Sequence, residues 1–409
     1  MINWFLLLIY SFIVYTILRI EKKKFGNLFT PYFFLVIPFL VICFLNIILG
    51  SLLGFKIINY KIILYWILYS TVFFIGGTLL FPFTNKDLKY ENSSINNNKN
   101  NNIVSIFSIL ISLYLIKAAF DLISTHPSIH YIASDLFAKD YGQGILAYLR
   151  VGAMICLIYL IGFYERVNII MGISIIITLI PFLIYQVKGI ILIPIIAGII
   201  FRTMLGNLRS SLKLIIISLS LGIIIFIVVY SIPYIYMRDF DNIMNKNFIL
   251  EKLRDIFAYL FSGILGFSGY LESGMNTIGD SQRIIAPLWN LLRHITYWDR
   301  VDSVVTEYFF PIDKDNLKVS NVFTLFGTIH IYLGVWVSIF ISILIGFISY
   351  IFKMWSNNSV VWLKVNYCFN LSILSFGWFD YNYYHSYIWL FWIFVTLLTI
   401  LYYTSRLRF

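Results

Sequence analysis

The stretch LIYQVKGIIL, Leu183 to Leu192, places Lys188 near the middle of an apolar run that extends from about Val167 to Phe201. One helix over that run would be ~52 Å long against a hydrocarbon layer of ~30 Å, and Pro181 and Pro194 argue against an unbroken rod. Two spans joined by a tight turn fit better, with Gly189 suited to the turn and Lys188 capping the hairpin. Loop charge supplies an independent test. If the run were one span, Arg202, Arg209, Lys213, Lys353, Lys364, Arg406 and Arg408 would change sides and leave the other basic loop residues. Lys and Arg gather in cytoplasmic loops, so the hairpin is preferred.

The rest of the chain supports a polytopic membrane protein. Of its 409 residues, 60% are hydrophobic and only 12% charged, too apolar for an ordinary soluble globule. Spans are expected near 2–20, 32–52, 61–81, 103–123, 143–163, 168–186, 189–204, 214–232, 328–352, 364–379 and 386–403, making an all-α protein of about eleven transmembrane helices. Lys22 to Lys24, Lys86, Lys89, Lys99 and Arg166 then share one side with the later basic loops, which puts the amino terminus outside and the carboxyl terminus in the cytoplasm. The first apolar segment precedes EKKK and lacks a small-residue cleavage site, so it is expected to stay as a span. The net charge of +11 is read as orientation, since no nucleic-acid motif accompanies it. Cys43, Cys156 and Cys368 sit in apolar runs without CxxC spacing, and no cofactor is indicated. Residues 82–102 form a cytoplasmic linker whose polar part, ENSSINNNKNNN, has no evident chemistry.

Function is expected outside. The exofacial loop over 233–327, between spans eight and nine, carries eleven of the nineteen acidic residues. Long loops of mixed charge in a charge-poor chain bind or catalyse, or else form a solvated cap. KNFILEKLRDIFAYLF has the apolar spacing of a helix lying on the membrane surface. A glycine-punctuated segment, SGILGFSGYLESGMNTIGDS, follows, then a second helical stretch, QRIIAPLWNLLRHITYW, on which Asn290, His294 and Trp298 share a face. All five histidines, His126, His130, His294, His330 and His385, fall on or near this side. His126, His130 and Asp135 lack a third well-spaced ligand and are interrupted by Pro127, so no metal site is expected.

Cations at the exofacial membrane edge are the sharper signal. Arg150, Lys188 and Arg238 either face an anion such as a diphosphate or reach lipid headgroups, and Arg283 and Arg293 are secondary candidates for the same anion. Glu272 or His294 could serve as a base. Tyr270, Trp289 and Trp298 could stack on sugar rings, whereas the aromatic cluster from Phe376 to Trp392 reads as an interfacial belt. Lys117 and Asp121 are spaced for a structural ion pair.

Three stretches resemble the polysaccharide repeat-unit polymerase family, the O-antigen or capsule polymerases of Wzy type: FGNLFTPYFFLVIPFLVICFLN, YQVKGIILIPIIAGIIF and SNVFTLFGTIHIYLGVWVSIFISILIGF. The chain departs from the family at Tyr332, Leu333 and Gly334, where members often carry Asp-Phe-Gly. It also lacks Arg-x10-Gly, since Arg150 to Gly162 and Arg254 to Gly266 are each one residue too long. The resemblance implies a GT-C-like architecture in the bacterial cytoplasmic (inner) membrane. It also implies transfer of a growing glycan from polyprenyl diphosphate to another lipid-linked oligosaccharide, with a chain-length regulator and a flippase as further partners. Rival readings are a flippase for the same lipids, which should have polar spans and short loops, and an O-antigen ligase built from similar parts.

Overall fold

The computed structural model describes residues 2–83, 98–126, 131, 134–164, 168–185, 187–206, 246–275, 280–296, 299–301, 308–358 and 360–406, with Lys188, Arg293 and His294 described by backbone alone. Its helices are α1 (Ile2–Phe25), α2 (Pro31–Leu45, running into a π turn at Asn46–Gly50), α3 (Tyr60–Thr78), α4 (Asn98–Ser124), α5 (Asp135–Gly142), α6 (Gly144–Phe163), α7 (Ile169–Tyr185) and α8 (Lys188–Met204). They continue as α9 (Lys246–Ser273), α10 (Ala286–Thr296), α11 (Leu325–Ser356), α12 (Val361–Ser375) and α13 (Ser386–Arg406). A small antiparallel pair, β1 (Phe310–Pro311) and β2 (Val319–Ser320), lies between α10 and α11. Among the described residues seven helices are long and apolar enough to cross a membrane, and α7 and the bulk of α8 are shorter apolar helices. The expected span at 214–232 lies outside the described residues.

The run around Lys188 is divided as its length requires, but at neither proline: Pro181 lies inside α7 and Pro194 inside α8. Helix α7 stops at Tyr185 and α8 opens at Lys188. Gly189 is the second residue of α8, without a positive φ; the extended residue before the helix is Val187, and Lys188 begins a helix where a turn residue was expected. The polar linker also ends earlier than expected: α4 starts at Asn98, and buried Asn101 accepts a hydrogen bond from Tyr159.

The chain forms two compact units. Unit 1 comprises 1–88, 254–358 and 373–389, and unit 2 comprises 89–253, 359–372 and 390–409. In unit 1, α3 and α11 pack closely because glycines face the opposing backbone. A Cβ built at Gly346 would stand 2.0 Å from the carbonyl oxygen of Phe73, and one at Gly76 would stand 2.2 Å from that of Ile343. Small residues permit such approach between membrane helices, where dispersion and not water drives association. Helix α11 is broken at Gly334, with φ 69° and ψ −178°, a conformation that a side chain would strain. The break lies beside His330, buried and 2.7 Å from the Tyr69 hydroxyl through Nδ1. Irregular backbone at membrane depth needs this kind of cover by protein.

The far end of unit 1 is tied by Glu21, fully buried, which accepts hydrogen bonds from Thr30 and Tyr350. Lys22 to Lys24 follow it on α1. The opposite end gathers residues 51–59, the buried half of α9, the β pair and 376–385. In unit 2, α6 packs on α8 and α4 on α7, and Ser108 and Thr178 join the latter two at 2.6 Å. Lys117 and Asp121 are exposed and form no ion pair among the described residues. Solvation of each charge outweighs a pairing worth only about 0.2–0.5 kcal/mol.

Replacing Gly346 by valine should cost about 1–3 kcal/mol or more, because the clash is with backbone and cannot be relieved by a rotamer change. Gly189→Ala, with nothing within 4 Å of its Cβ, should be neutral. Thermal unfolding in detergent checks both, and a Gly346→Val protein as stable as the parent would contradict this packing.

Candidate functional site

The segment expected to be a helix and then a glycine-punctuated loop is one helix, α9, of 28 residues. Its glycines recur every third residue and face other backbones. A Cβ at Gly263 would meet the carbonyl oxygen of Phe379 at 2.3 Å, and one at Gly266 would meet that of Val322 at 2.2 Å. One at Gly269 would meet Cβ of Phe310 at 2.6 Å. Each glycine costs roughly 1 kcal/mol of helix propensity, which the close packing offsets. Phe261, Ile264, Leu265, Phe267 and Tyr270 are buried, so the second half of α9 lies inside unit 1.

Burial of α9 fixes Glu272 at its end. Glu272 Oε1 accepts from Asn59 Nδ2 at 3.2 Å and from Ser268 Oγ at 3.3 Å, while the Asn59 backbone N–H donates to Ser268 Oγ at 2.9 Å. Asn59 is also the N-cap of α3, accepting from the Lys61 N–H, so one side chain ties the carboxylate to a membrane helix. Beside it is a cavity of about 130 Å³ lined by Lys56, Leu265, Ser268, Gly269, Glu272, Phe310 and Pro311. Half-buried Lys56 comes to this cavity because its segment pairs with the turn after β1: Lys56 N–H donates to Ile312 O, and Lys314 N–H to Gly54 O. The spacing of apolar residues gave no sign of Lys56; the pairing that brings it there is non-local.

A charged clasp holds that turn. Asp313 is fully buried and accepts from Arg254 Nη2 at 3.3 Å and from the Lys318 N–H at 3.0 Å. Arg254 also reaches the exposed Asp315 at 3.7 Å, and Lys318 pairs with Asp255. Lys314 Nζ donates to Ser51 Oγ at 2.8 Å.

The other expected site residues divide by unit. Tyr270 is a packed core ring, set edge-on to Phe310 and Phe323. Arg283 sits on a 3-10 turn, Ser281–Ile285, and pairs with Asp280 at 3.4 Å. Trp289 Nε1 donates to Asp299 O, and Asn290 exchanges hydrogen bonds with the backbone of Val301, so these two side chains hold the returning chain. Arg293 and His294 are placed on α10 by backbone. Arg238 and Trp298, as well as His130, lie outside the described residues. In unit 2 Arg150 is buried, its guanidinium 3.8 Å from the Tyr185 ring centroid and 5.0 Å from that of Tyr141. Its Nη2 donates to the Tyr141 carbonyl, while Nε has no partner among the described residues. Tyr185 is three residues before Lys188, so Arg150 and the start of α8 share one end of unit 2. His126 is stacked on Tyr131 at 3.6 Å, an aromatic contact where metal ligation had been considered.

The aromatic cluster read as a belt is turned inward. Phe376, Trp378, Tyr381 and Tyr383 are buried, and Phe379 lies 4.3 Å from the Tyr259 ring of α9. A belt would leave such rings at the lipid edge.

Asp313→Ala should destabilise the protein by about 1–3 kcal/mol, since Arg254 loses a buried acceptor and the Lys318 N–H loses its partner. Asp315→Ala should change stability by no more than about 0.5 kcal/mol, being an exposed member of the clasp. Equal effects in thermal unfolding would contradict the assigned roles.

No curated protein and no solved structure matches the chain. Residues 54–409 match a protein family without an assigned function, and the chain therefore belongs to the family of unknown function DUF6337.

Proposed function

We propose that this protein is a membrane glycosyltransferase of the repeat-unit polymerase kind, multi-pass in the bacterial cytoplasmic membrane, with its amino terminus outside and its carboxyl terminus in the cytoplasm. It transfers a growing glycan from polyprenyl diphosphate to a second lipid-linked oligosaccharide on the exofacial side. The observation that carries the reading is the cavity beside Glu272, lined by that carboxylate at the end of α9 and by the Lys56 cation in the segment before α3, at the end of unit 1 away from Lys22 to Lys24. An acceptor sugar needs a hydrogen-bonding carboxylate to orient its hydroxyls, and a diphosphate leaving group needs cations. Lys56 supports the second requirement within unit 1, as a half-buried cation lining the same cavity. A GT-C-like arrangement, a chain-length regulator and a flippase partner belong to the same proposal. Transport of the same lipids is the second reading, favoured by the break in α11 at Gly334 beside His330.

Purified protein reconstituted with polyprenyl-diphosphate oligosaccharide should produce a ladder of longer glycans, and Glu272→Gln should cut extension at least ~10-fold at unchanged protein abundance. Movement of the lipid across the bilayer with no ladder would contradict the polymerase and support the transporter.

A further inference from the structure

Between α12 and α13 unit 1 carries a second carboxylate, Asp380, partly exposed in an aromatic surround. Its Oδ2 accepts from the Tyr384 hydroxyl at 2.6 Å and its Oδ1 from the Tyr381 N–H at 2.7 Å. The loop is fixed on both sides. Phe379 lies against Tyr259 of α9, ring centroids 4.3 Å apart, and lends its carbonyl to the face of Gly263, while Trp389 Nε1 donates to Tyr383 O at 2.8 Å. The 3-10 turn carrying Arg283 packs against the turn Asn382–Tyr384. A carboxylate in a rigid aromatic setting therefore lies on an element that touches a cation-bearing turn, both in one unit.

We propose that Asp380 is the general base of the glycan transfer, taking the proton of the acceptor sugar hydroxyl. The inference rests on the polymerase reading and assigns to one group a role for which Glu272 and His294 had been the candidates. The acceptor oxygen attacks the anomeric carbon of the donor glycan and forms the new glycosidic bond. The bond from that carbon to the diphosphate oxygen breaks, and its electron pair leaves on polyprenyl diphosphate. The hydroxyl proton passes to an oxygen of Asp380 and from there to water. Glu272 is an exposed carboxylate already bonded by Asn59 and Ser268, which suits orientation of the sugar.

Proton affinity agrees with the geometry. Burial raises the Asp380 carboxyl from its ordinary 3.8 to about 6, against the hydrogen bonds from Tyr384 and the Tyr381 backbone, which pull it down. A base is most effective when its pKa lies near the working pH. The titratable and charged groups around it are Tyr381, Tyr384 and His385 of the loop, Tyr259 of α9, Tyr387 of α13, and Arg283 with Asp280 on the adjoining turn. Burial pushes His385 down to about 4, so it is neutral where Asp380 titrates.

The test uses the full-length protein in the reconstituted ladder assay, across pH, with Asp380→Asn, Asp380→Glu and Tyr384→Phe, and with abundance and melting temperature recorded for each. The wild-type extension rate should fall as pH drops through about 6. Asp380→Asn should lose ~10²-fold or more at unchanged stability, and Asp380→Glu should retain part of the rate. Tyr384→Phe removes a hydrogen bond that favours the carboxylate, so its acid limb should move to higher pH. A ladder in Asp380→Asn within about twofold of wild type overturns the base and leaves the polymerase standing. Loss in Asp380→Asn with an unmoved acid limb in Tyr384→Phe makes the role structural and also overturns the base. No ladder from wild-type protein removes the polymerase reading, and the base with it.

Discussion

The close approach of α9 to the loops around it is the constraint on which the loop end of unit 1 depends. Three glycines at three-residue spacing let the backbones of Val322 and Phe379, and the Cβ of Phe310, come within distances that any Cβ would forbid. That contact places Ser268 and Glu272 beside the cap of α3, and it holds Phe379 directly before Asp380. Backbone set against backbone admits little slack, because neither side can change rotamer. The two carboxylates are thus positioned by main chain more than by side-chain choice.

The opposite end of unit 1 uses polar chemistry for the same purpose. Glu21 is enclosed with Thr30 and Tyr350, and Lys353 lies buried with its ammonium 5.4 Å from the Phe25 ring centroid. A charge removed from water is tolerated when its hydrogen bonds are supplied, and losing one partner is then expensive. Helices α1, α2 and α11 are joined there, while α3 and α11 are joined along their length by Gly76 and Gly346. Between these fixtures α11 can afford its break at Gly334, because Tyr69 and Tyr65 cover His330 next to it.

Much of the helical plan was legible in the sequence, because apolar runs of about twenty residues bounded by polar turns have few alternatives in lipid. Lys188 marked the division of α7 from α8, although it opens a helix and the break lies just before it. Helix α9 was misread at its glycines, which usually punctuate structure; their three-residue spacing was the signal for a packed helical face. Asp380 was hidden for a similar reason. A carboxylate among ten or more aromatic and apolar residues resembles an interfacial belt, and it is tertiary contacts, with Tyr259 and Gly263 of α9, that turn the cluster inward. Glu272 was singled out from sequence, while its neighbours Lys56 and Asn59 could not be, since more than two hundred positions separate Asn59 from it. Arg238 and Trp298 lie outside the described residues, so their proposed roles rest on sequence.

The account turns on the loop end of unit 1 facing the outside of the cell. The direct measurement is labelling of single cysteines by a membrane-impermeant maleimide in intact and in permeabilised cells, with Cys43, Cys156 and Cys368 contributing little because all are buried. Asp315→Cys, at an exposed position of the loop end, should be labelled in intact cells, and Lys23→Cys only after permeabilisation. The reverse pattern would place the Glu272 cavity and Asp380 in the cytoplasm and contradict an exofacial transfer.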